Sequence, residues 1–126
     1  MAWVWLSPGR MLDRECVAMN VLVAVKSVPD PAHAVRLHHQ DGRVDLDDLP
    51  LTLNPFDAIA LEEAVRWREQ GHVAQVVAAS IGPASWGEGL RTTLALGADR
   101  AILVESDTPL APLDVARCLR QVALRE

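Results

Sequence analysis

The residues that could bind a metal do not occur in a spacing that favours one. The four histidines are His33, His38, His39 and His72. His38 and His39 are adjacent, so on a strand they would point to opposite faces, and a shared metal site is not predicted. His72 directly follows Gly71, and we interpret it as a cation near a helix C-terminus or as a solvent-facing residue.

Nucleophilic and acid–base chemistry is also poorly supported. Ser80 and Ser85 lack the G-x-S-x-G context that presents a serine nucleophile on a sharp turn. Glu62 and Glu63 are neighbours on a predicted helix, where one of them faces outward, which is typical of a solvated surface. These residues therefore predict neither an acyl-transfer site nor a pair of catalytic carboxylates.

The glycines do not form a known phosphate-binding loop. No G-x-G-x-x-G follows the first predicted strand, there is no Walker loop, and Gly82, Gly87 and Gly89 fit neither spacing. Lys26 closes the first predicted strand and could neutralise a phosphate or a carboxylate. We therefore keep Lys26 as a candidate site residue.

A helix start offers a further candidate for ligand binding. Asn54 is a favoured N-cap, Pro55 fits the first helical position, and Asp57 carries a charge that suits the helix dipole. A helix N-terminus has free backbone N–H groups, which suit polar or anionic ligand atoms. We expect such groups over residues 54–57.

The elements that position these residues begin with a strand. Residues 20–27, NVLVAVKS, form a continuous apolar run rich in β-branched residues, which predicts a strand buried on both faces. Pro29 is predicted to stop it, because proline cannot donate to a strand ladder. Asp41-Gly42, between the loosely alternating residues of 34–46, predicts a hairpin. A small β-ribbon is therefore expected between the first strand and the first helix.

Helices and strands alternate after the ribbon. The predicted order is a helix from Asn54 to Gly71, a strand over 74–81, a helix that begins at Trp86 or later, a strand over 100–105, and a helix after Pro112. Residues at helical spacing on the first helix are Ile59, Ala60, Glu63, Ala64 and Trp67. The last helix is predicted to carry an apolar stripe of Val115, Leu119, Val122 and Ala123. This alternation predicts an α/β fold with a parallel sheet.

Length and composition limit the functions that need to be considered. The chain has 126 residues, 50% hydrophobic and 23% charged, which suits one globular domain. The net charge is −5 and the sequence has no run of basic residues. Electrostatics therefore do not favour binding to nucleic acid or to an anionic membrane. Cys16 and Cys118 lie far apart and are expected to be reduced thiols in the cytoplasm.

The first 18 residues differ from the rest of the chain. Trp3 and Trp5 precede a break at Pro8, so the apolar run is too short for a signal peptide, and no stretch is long enough to span a membrane. We expect residues 1–18 to be an extension outside the fold, of the kind that results when the translation start is placed too early. The alternative is a short partner-binding tail with two aromatic anchors.

Three blocks of sequence resemble the electron transfer flavoprotein beta family. They are VLVAVKSVPDP at 21–31, TLNPFDAIALEEAVR at 52–66, and SIGPA with LRTTLALGADRAILVE across 80–105. Their order and spacing fit as well, and the resemblance covers residues 20 to about 126. NPFDAIALEEAVR is specific to the family, whereas universal stress proteins and other nucleotide-binding α/β domains carry stretches similar to ALGADRAILV.

The resemblance implies a fold, a cofactor and partners. The fold is a partial Rossmann-like sheet of the adenine nucleotide alpha hydrolase type, and residues 19–126 would be a truncated nucleotide-binding domain. A beta subunit pairs with an alpha subunit, which holds most of the redox FAD site. The heterodimer carries electrons from flavin dehydrogenases, such as acyl-CoA dehydrogenases, toward a membrane quinone reductase. The beta subunit holds AMP, or a second FAD in electron-bifurcating relatives, and is a bacterial cytoplasmic carrier without catalytic residues of its own.

The resemblance also implies where the nucleotide binds. The family's contacts fall on Ala24, Asn54, Pro55, Phe56, Asp57 and Ile81. This placement agrees with the rule that open α/β sheets bind ligands beyond the carboxyl ends of their strands. Four of these residues also have an ordinary structural explanation: Asn54 could simply cap a helix, Asp57 could complement its dipole, and Ala24 and Ile81 could be core.

The chain departs from the family in length. The family's loop that grips the nucleotide phosphates follows a fourth strand, which this sequence does not reach, so only the adenosine half of the site is expected. That strand would lie beside the first one in the order 3-2-1-4-5. Residues 20–27 are therefore expected to form an exposed apolar edge that is prone to self-pairing, around a thin core of marginal stability.

The sequence is also compatible with two alternatives to an electron-transfer subunit. The first is an adenine-nucleotide-binding regulatory module of the universal stress type, acting as a homodimer. The second is a non-functional remnant of a beta subunit, which would have neither partner nor nucleotide.

Overall fold

The computed structural model describes residues 4–5, 19–34, 36–37, 42, 44–45 and 49–126. In chain order the strands are β1 (Val4–Trp5), β2 (Asn20–Ala24), β3 (Ser27–Pro29), β4 (Arg36–Leu37), β5 (Val44–Asp45), β6 (Leu51–Leu53), β7 (Gln75–Gly82) and β8 (Arg100–Glu105). The helices are α1 (Pro55–Glu69), α2 (Gly87–Ala95) and α3 (Pro112–Ala123). In this part of the chain, no helix is both long enough and apolar enough to cross a membrane.

The main sheet has the strand order β1-β2-β7-β8. β7 pairs in parallel with β2 on one side and with β8 on the other, and α1 and α2 are the connecting helices. Leu61 of α1 and Leu90 of α2 belong to one buried cluster with Val21, Val76 and Ala78 of the sheet. The predicted α/β fold with a parallel sheet and flanking helices is confirmed.

Burial differs between the two central strands. In β2, Val21 and Val23 are buried, whereas Leu22 and Ala24 are only half-buried. The prediction of a first strand buried on both faces is therefore wrong, because α3 leaves a groove beside Leu22 and Ala24. β7 is the strand whose residues 76–80 are all buried, since it lies between two parallel neighbours.

The predicted strand over 20–27 is two strands in the structure. β2 ends at Ala24, and β3 turns away to pair antiparallel with β6, with Val28 opposite Thr52. Pro29 lies at the end of β3 instead of stopping the strand before it. It is tolerated there because a two-stranded sheet leaves one side of each strand free of ladder hydrogen bonds.

The predicted β-ribbon is confirmed. β4 and β5 pair antiparallel, with Arg36 opposite Asp45 and Leu37 opposite Val44. Gly42 between them has a φ of 67°, the left-handed conformation that glycine adopts at little cost. Asp41, the other residue of the predicted turn, lies outside the described residues.

α1 begins and ends as predicted, but its buried side is different. The side chain of Asn54 caps it, and Gly71 follows its last turn with a φ of 77°. The buried residues are Asp57, Leu61 and Ala64, which are spaced i, i+4, i+7. Of the residues noted at helical spacing, Ala64 lies on this inner face, whereas Ile59 and Glu63 lie away from it and are exposed.

The last two helices lie where the sequence predicts them, but one residue of the predicted stripe on the last helix is exposed. A 3₁₀ turn over Ala84–Trp86 precedes α2, which begins at Gly87. On α3, Val122 is buried and Val115 and Leu119 are half-buried, whereas Ala123 is exposed.

The outer edge of β2 is paired over two residues. Val4 lies opposite Val23 and Trp5 opposite Leu22, in an antiparallel arrangement. The other residues of 1–18, including Cys16, lie outside the described residues. The prediction that this extension is not part of the fold therefore remains a prediction.

Candidate functional site

A cavity of about 550 Å³ opens at the carboxyl ends of β2 and β7, between the sheet and α3. Its volume lies within the range of ~300–1,000 Å³ that is typical of small-molecule sites. Most of its lining is aliphatic, and the charged residues among the lining are Lys26 and Asp57. An apolar cavity with a few polar groups at one end is the usual form of a site for a small organic ligand.

Small side chains form the sheet side of this cavity. Ala24 and Ala79 are register partners on the neighbouring strands β2 and β7, and both line the cavity. Ile81 lies two residues further along β7 and therefore projects to the same face. Ser80 lies between them on the strand, so its buried side chain projects to the opposite face.

Hydrogen bonds fix the backbone at the polar end of the cavity. The N–H of Lys26 donates to Oδ2 of Asp57 at 2.9 Å, and the N–H of Asn54 donates to the carbonyl of Lys26 at 3.0 Å. Asn54 and Asp57 are 7% and 3% exposed. The loop after β2 is thus tied from two sides to the first turn of α1.

These hydrogen bonds overturn one sequence expectation. The backbone N–H groups at the start of α1 were expected to be free for a ligand. The structure pairs the N–H of Asn54 with Lys26, that of Phe56 with Oδ1 of Asn54 at 3.4 Å, and that of Asp57 with the carbonyl of Asn54 at 3.0 Å. Pro55 has no N–H. The backbone N–H groups of residues 54, 56 and 57 therefore already have hydrogen-bond acceptors within the chain.

The structure brings together four of the seven candidate residues. Ala24, Lys26, Asp57 and Ile81 line the cavity. Asn54 is buried and is not among the lining residues. Its hydrogen bonds with Lys26 and with the first turn of α1 hold the backbone at the polar end of the cavity. Pro55 and Phe56 are exposed and are not among the lining residues, and Phe56 is 72% exposed.

Sequence reasoning missed the residues that close the cavity from the other side. They are Trp86 at the end of the 3₁₀ turn, Leu110 in the loop before α3, and Pro112, Val115, Ala116 and Leu119 of α3. Val115 and Leu119 were predicted as an apolar stripe, and that stripe is a signal that α3 covers the sheet. The turn at Gly82-Pro83 was the available signal for Trp86, because it places the next residues at the strand end.

A second groove of about 660 Å³ adjoins the cavity. It runs between β2 and α3 and is lined by Leu22, Ala24, Ala116, Leu119, Arg120, Ala123 and Leu124. Ala24, Ala116 and Leu119 therefore line both spaces. The groove has Arg120 as its charged residue and lacks the paired polar groups of the cavity, so the cavity is the better candidate for a nucleotide.

The carboxylate with the clearest pKa shift lies away from the cavity. Oδ2 of Asp99 accepts the N–H of Val76 at 2.8 Å, at the amino end of β7, and Oδ1 accepts from the Arg68 guanidinium at 2.5 Å. The hydrogen bond from Arg68 and that from Val76 lower the pKa of Asp99. This arrangement holds α1, β7 and the start of β8 together, and we assign it a structural role.

A metal site is not evident near the cavity. Among the described residues, no group of His, Cys, Asp or Glu could hold a metal ion. His33 lies 3.4 Å from the carboxylate of Asp30, with which it would form an ion pair when protonated. His38 and His39 lie outside the described part of the chain.

Comparison with known proteins identifies relatives of the chain. Residues 42–126 match the model of the family described as "Electron transfer flavoprotein domain". This match begins in the β-ribbon and includes α1, β7, β8 and α3, and so covers most of the residues that line the cavity.

Individual relatives agree with this match. The chain is 47% identical over 108 residues to the electron transfer flavoprotein subunit beta of Bradyrhizobium diazoefficiens, covering 86% of the chain and 43% of the relative. It is 47% identical to the mitochondrial electron transfer flavoprotein subunit beta of Oryza sativa subsp. japonica and 46% identical to the electron transfer flavoprotein subunit beta of Homo sapiens, each over 112 residues, 86% of the chain and 44% of the relative. The chain thus spans less than half the length of these relatives.

Proposed function

The chain belongs to the electron transfer flavoprotein beta subunit family, and on that basis we propose that it binds an adenine nucleotide and pairs with an alpha subunit. The nucleotide is AMP or the adenosine part of FAD. Its site is the cavity at the carboxyl ends of β2 and β7.

One observation carries this proposal. Three residues that the family resemblance assigned to the nucleotide, from three separate segments of the chain, line a single cavity together with the independent candidate Lys26: Ala24, Asp57 and Ile81. In the proposed complex the adenosine lies over Ala24 and against Ile81. Lys26, the cation among the lining residues, faces the phosphate end of the nucleotide.

The proposed role in electron transfer is that of a carrier subunit. The alpha subunit supplies most of the redox flavin site, and the heterodimer takes electrons from flavin dehydrogenases such as acyl-CoA dehydrogenases. The residues of this chain bind and orient the nucleotide and contribute no catalytic group. Two large apolar side chains on the outside of α1, Phe56 and Ile59, are 72% and 64% exposed, which supports a contact with a partner.

Co-expression with an electron transfer flavoprotein alpha subunit tests the proposal. The purified complex would be analysed for flavin by absorbance and for AMP and FAD by mass spectrometry. We expect a heterodimer that contains AMP or an additional FAD. The matched variant Ala24→Leu, which adds bulk to the sheet side of the cavity, should retain the partner and lose the nucleotide held by this chain.

The alternative outcomes are informative. A wild-type chain that is folded but binds neither an alpha subunit nor a nucleotide would contradict the proposal and favour a non-functional remnant. A chain that binds nucleotide as a homodimer and ignores the alpha subunit would favour the regulatory module.

A further inference from the structure

We propose that Trp86 stacks on the adenine ring of the bound nucleotide and sets the plane in which that ring lies. This inference rests on the proposed function, because it assumes that the cavity takes an adenine nucleotide. It adds a ring-contacting residue that lies outside the set assigned from the resemblance.

Trp86 is the aromatic residue among those that line the cavity. It ends the 3₁₀ turn that follows β7, and its N–H donates to the carbonyl of Pro83 at 3.0 Å, which fixes the turn. Its side chain is half-buried, so part of the indole remains open to the cavity. Trp86 is therefore held at the strand end where open α/β sheets bind ligands.

Gly82 fixes the orientation of the indole. A β-carbon at Gly82 would lie 2.5 Å from Cε3, 2.7 Å from Cζ3 and 2.8 Å from Cδ2 of Trp86. The six-membered part of the indole thus lies against the backbone of Gly82, in space that any side chain there would occupy. A ring that is already held in place loses little freedom when a ligand stacks on it, which favours binding.

The remaining lining suits a flat ring. Ala24 and Ala79 present small side chains on the sheet, and Val115 and Leu119 of α3 present aliphatic ones. Polar groups are confined to one end, at Lys26 and Asp57. A heteroaromatic ring has two apolar faces and a polar edge, and aromatic side chains stack on such rings in an offset arrangement.

The test uses titration calorimetry with AMP and with FAD on the wild-type chain and on variants. Base stacking on an aromatic residue contributes ~1–3 kcal/mol, so Trp86→Leu should weaken binding of both ligands by a factor between ~5 and ~150. Trp86→Phe, which keeps an aromatic face, should lose less. Trp67→Phe is the matched control, because Trp67 lies on α1, donates from Nε1 to Glu63, and is not among the residues that line the cavity. The Trp67→Phe variant should bind both ligands as tightly as the wild type does.

A second variant moves the indole without removing it. Gly82→Ala places a methyl group where the ring of Trp86 lies, so the ring must shift and binding should weaken. The double variant Gly82→Ala with Trp86→Leu should bind no more weakly than Trp86→Leu alone, because both changes act through the same ring. Thermal unfolding checks that each variant is folded, and Trp86→Phe and Gly82→Ala carry the test if Trp86→Leu does not fold.

The outcomes separate the inference from the function on which it rests. If the wild-type chain binds neither AMP nor FAD, both are contradicted. If it binds AMP and folded Trp86→Leu binds it equally well, or if Gly82→Ala and Trp86→Leu weaken binding additively, only the stacking role is overturned. FMN, which has a flavin ring but no adenine, is the third probe. If Trp86→Leu weakens FMN binding and leaves AMP binding unchanged, the residue stacks on the flavin and the inference is wrong.

Discussion

The carboxylate of Asp57 accepts a hydrogen bond from the backbone N–H of Lys26 at 2.9 Å, and both residues line the same cavity. Asp57 is 3% exposed, although aspartate side chains are mostly exposed in folded proteins. The helix that begins at the cavity is therefore attached to the strand that ends there. Both the stability of the fold and the affinity for the nucleotide should therefore depend on this hydrogen bond.

Removing the carboxylate tests that dependence. Asp57→Ala leaves the part-buried N–H of Lys26 without its acceptor, so we expect the free energy of unfolding to fall by ~1–3 kcal/mol. Urea unfolding measures this loss, and affinity for the nucleotide should fall with it. Glu62→Ala is the control, since Glu62 is exposed on the same helix and pairs with Arg66 on the surface, and it should change stability by less than ~0.5 kcal/mol. Equal effects of the two changes would contradict this account of Asp57.

Asn54 allows helix capping to be separated from ligand contact. Asn54→Ala removes the cap of α1 and should cost about 1 kcal/mol, whereas Asn54→Asp keeps an oxygen acceptor and should cost only a few tenths. Because Asn54 is not among the lining residues, Asn54→Asp should also keep the affinity for the nucleotide. Urea unfolding measures the stability of both variants, and titration calorimetry measures their affinity for the nucleotide. A folded Asn54→Asp that has lost nucleotide binding would show that the amide itself contacts the ligand.

The inner face of α1 gives a prediction about the core. Leu61 is fully buried, and Leu61→Ala should cost about 2–5 kcal/mol through lost burial and the cavity left behind. Ile59 is two residues earlier on the same helix and 64% exposed, so Ile59→Ala should stay within ~0.5 kcal/mol. Thermal or urea unfolding measures the loss of stability in the two variants. A larger loss in Ile59→Ala than in Leu61→Ala would mean that the helix presents its other face to the sheet.

Asp99 gives a prediction about pH. The guanidinium of Arg68 and the N–H of Val76 favour the charged carboxylate, so the pKa of Asp99 is lower in the folded chain than its ordinary value near 3.9. A lowered folded pKa means that the stabilisation is present above the unfolded pKa and is lost as the pH falls through the folded one. The difference in unfolding free energy between wild type and Asp99→Asn should therefore be largest at neutral pH and shrink below about pH 4. Urea unfolding at pH 7 and pH 3 measures it, and a gap of the same size at both would contradict the assignment.

Local patterns in the sequence located the helices and the strands β7 and β8, but they missed β6 and the division between β2 and β3. Asn54-Pro55 and Gly71 bound α1 correctly, because caps and glycine turns depend on neighbouring residues. The apolar run at 20–27 could not show that β2 ends at Ala24, since Val25 continues the apolar pattern and the division follows from the pairing of β3 with the distant strand β6. Burial that depends on a distant contact is not visible in a local pattern.

The candidate site shows the same division. The family resemblance supplied Ala24, Asp57 and Ile81, and the structure places all three around one cavity. The opposite wall comes from α3 and from Trp86, which are distant in sequence and were seen only as a stripe and a helix start. The N–H groups at the start of α1 were expected to be free because a helix start alone leaves them so, and the chain pairs them through Asn54 and Lys26.

The most direct test of the central claim is calorimetric titration of AMP and FAD into the wild-type chain and two matched variants. Ala24→Leu adds a side chain to the cavity, whereas Ala123→Leu adds the same bulk to the neighbouring groove, which Ala123 lines without reaching the cavity. We predict saturable binding to one site on the wild type, unchanged in Ala123→Leu and abolished in folded Ala24→Leu. Absence of binding to the folded wild type, or equal binding by Ala24→Leu, would contradict the assignment of this cavity as the nucleotide site.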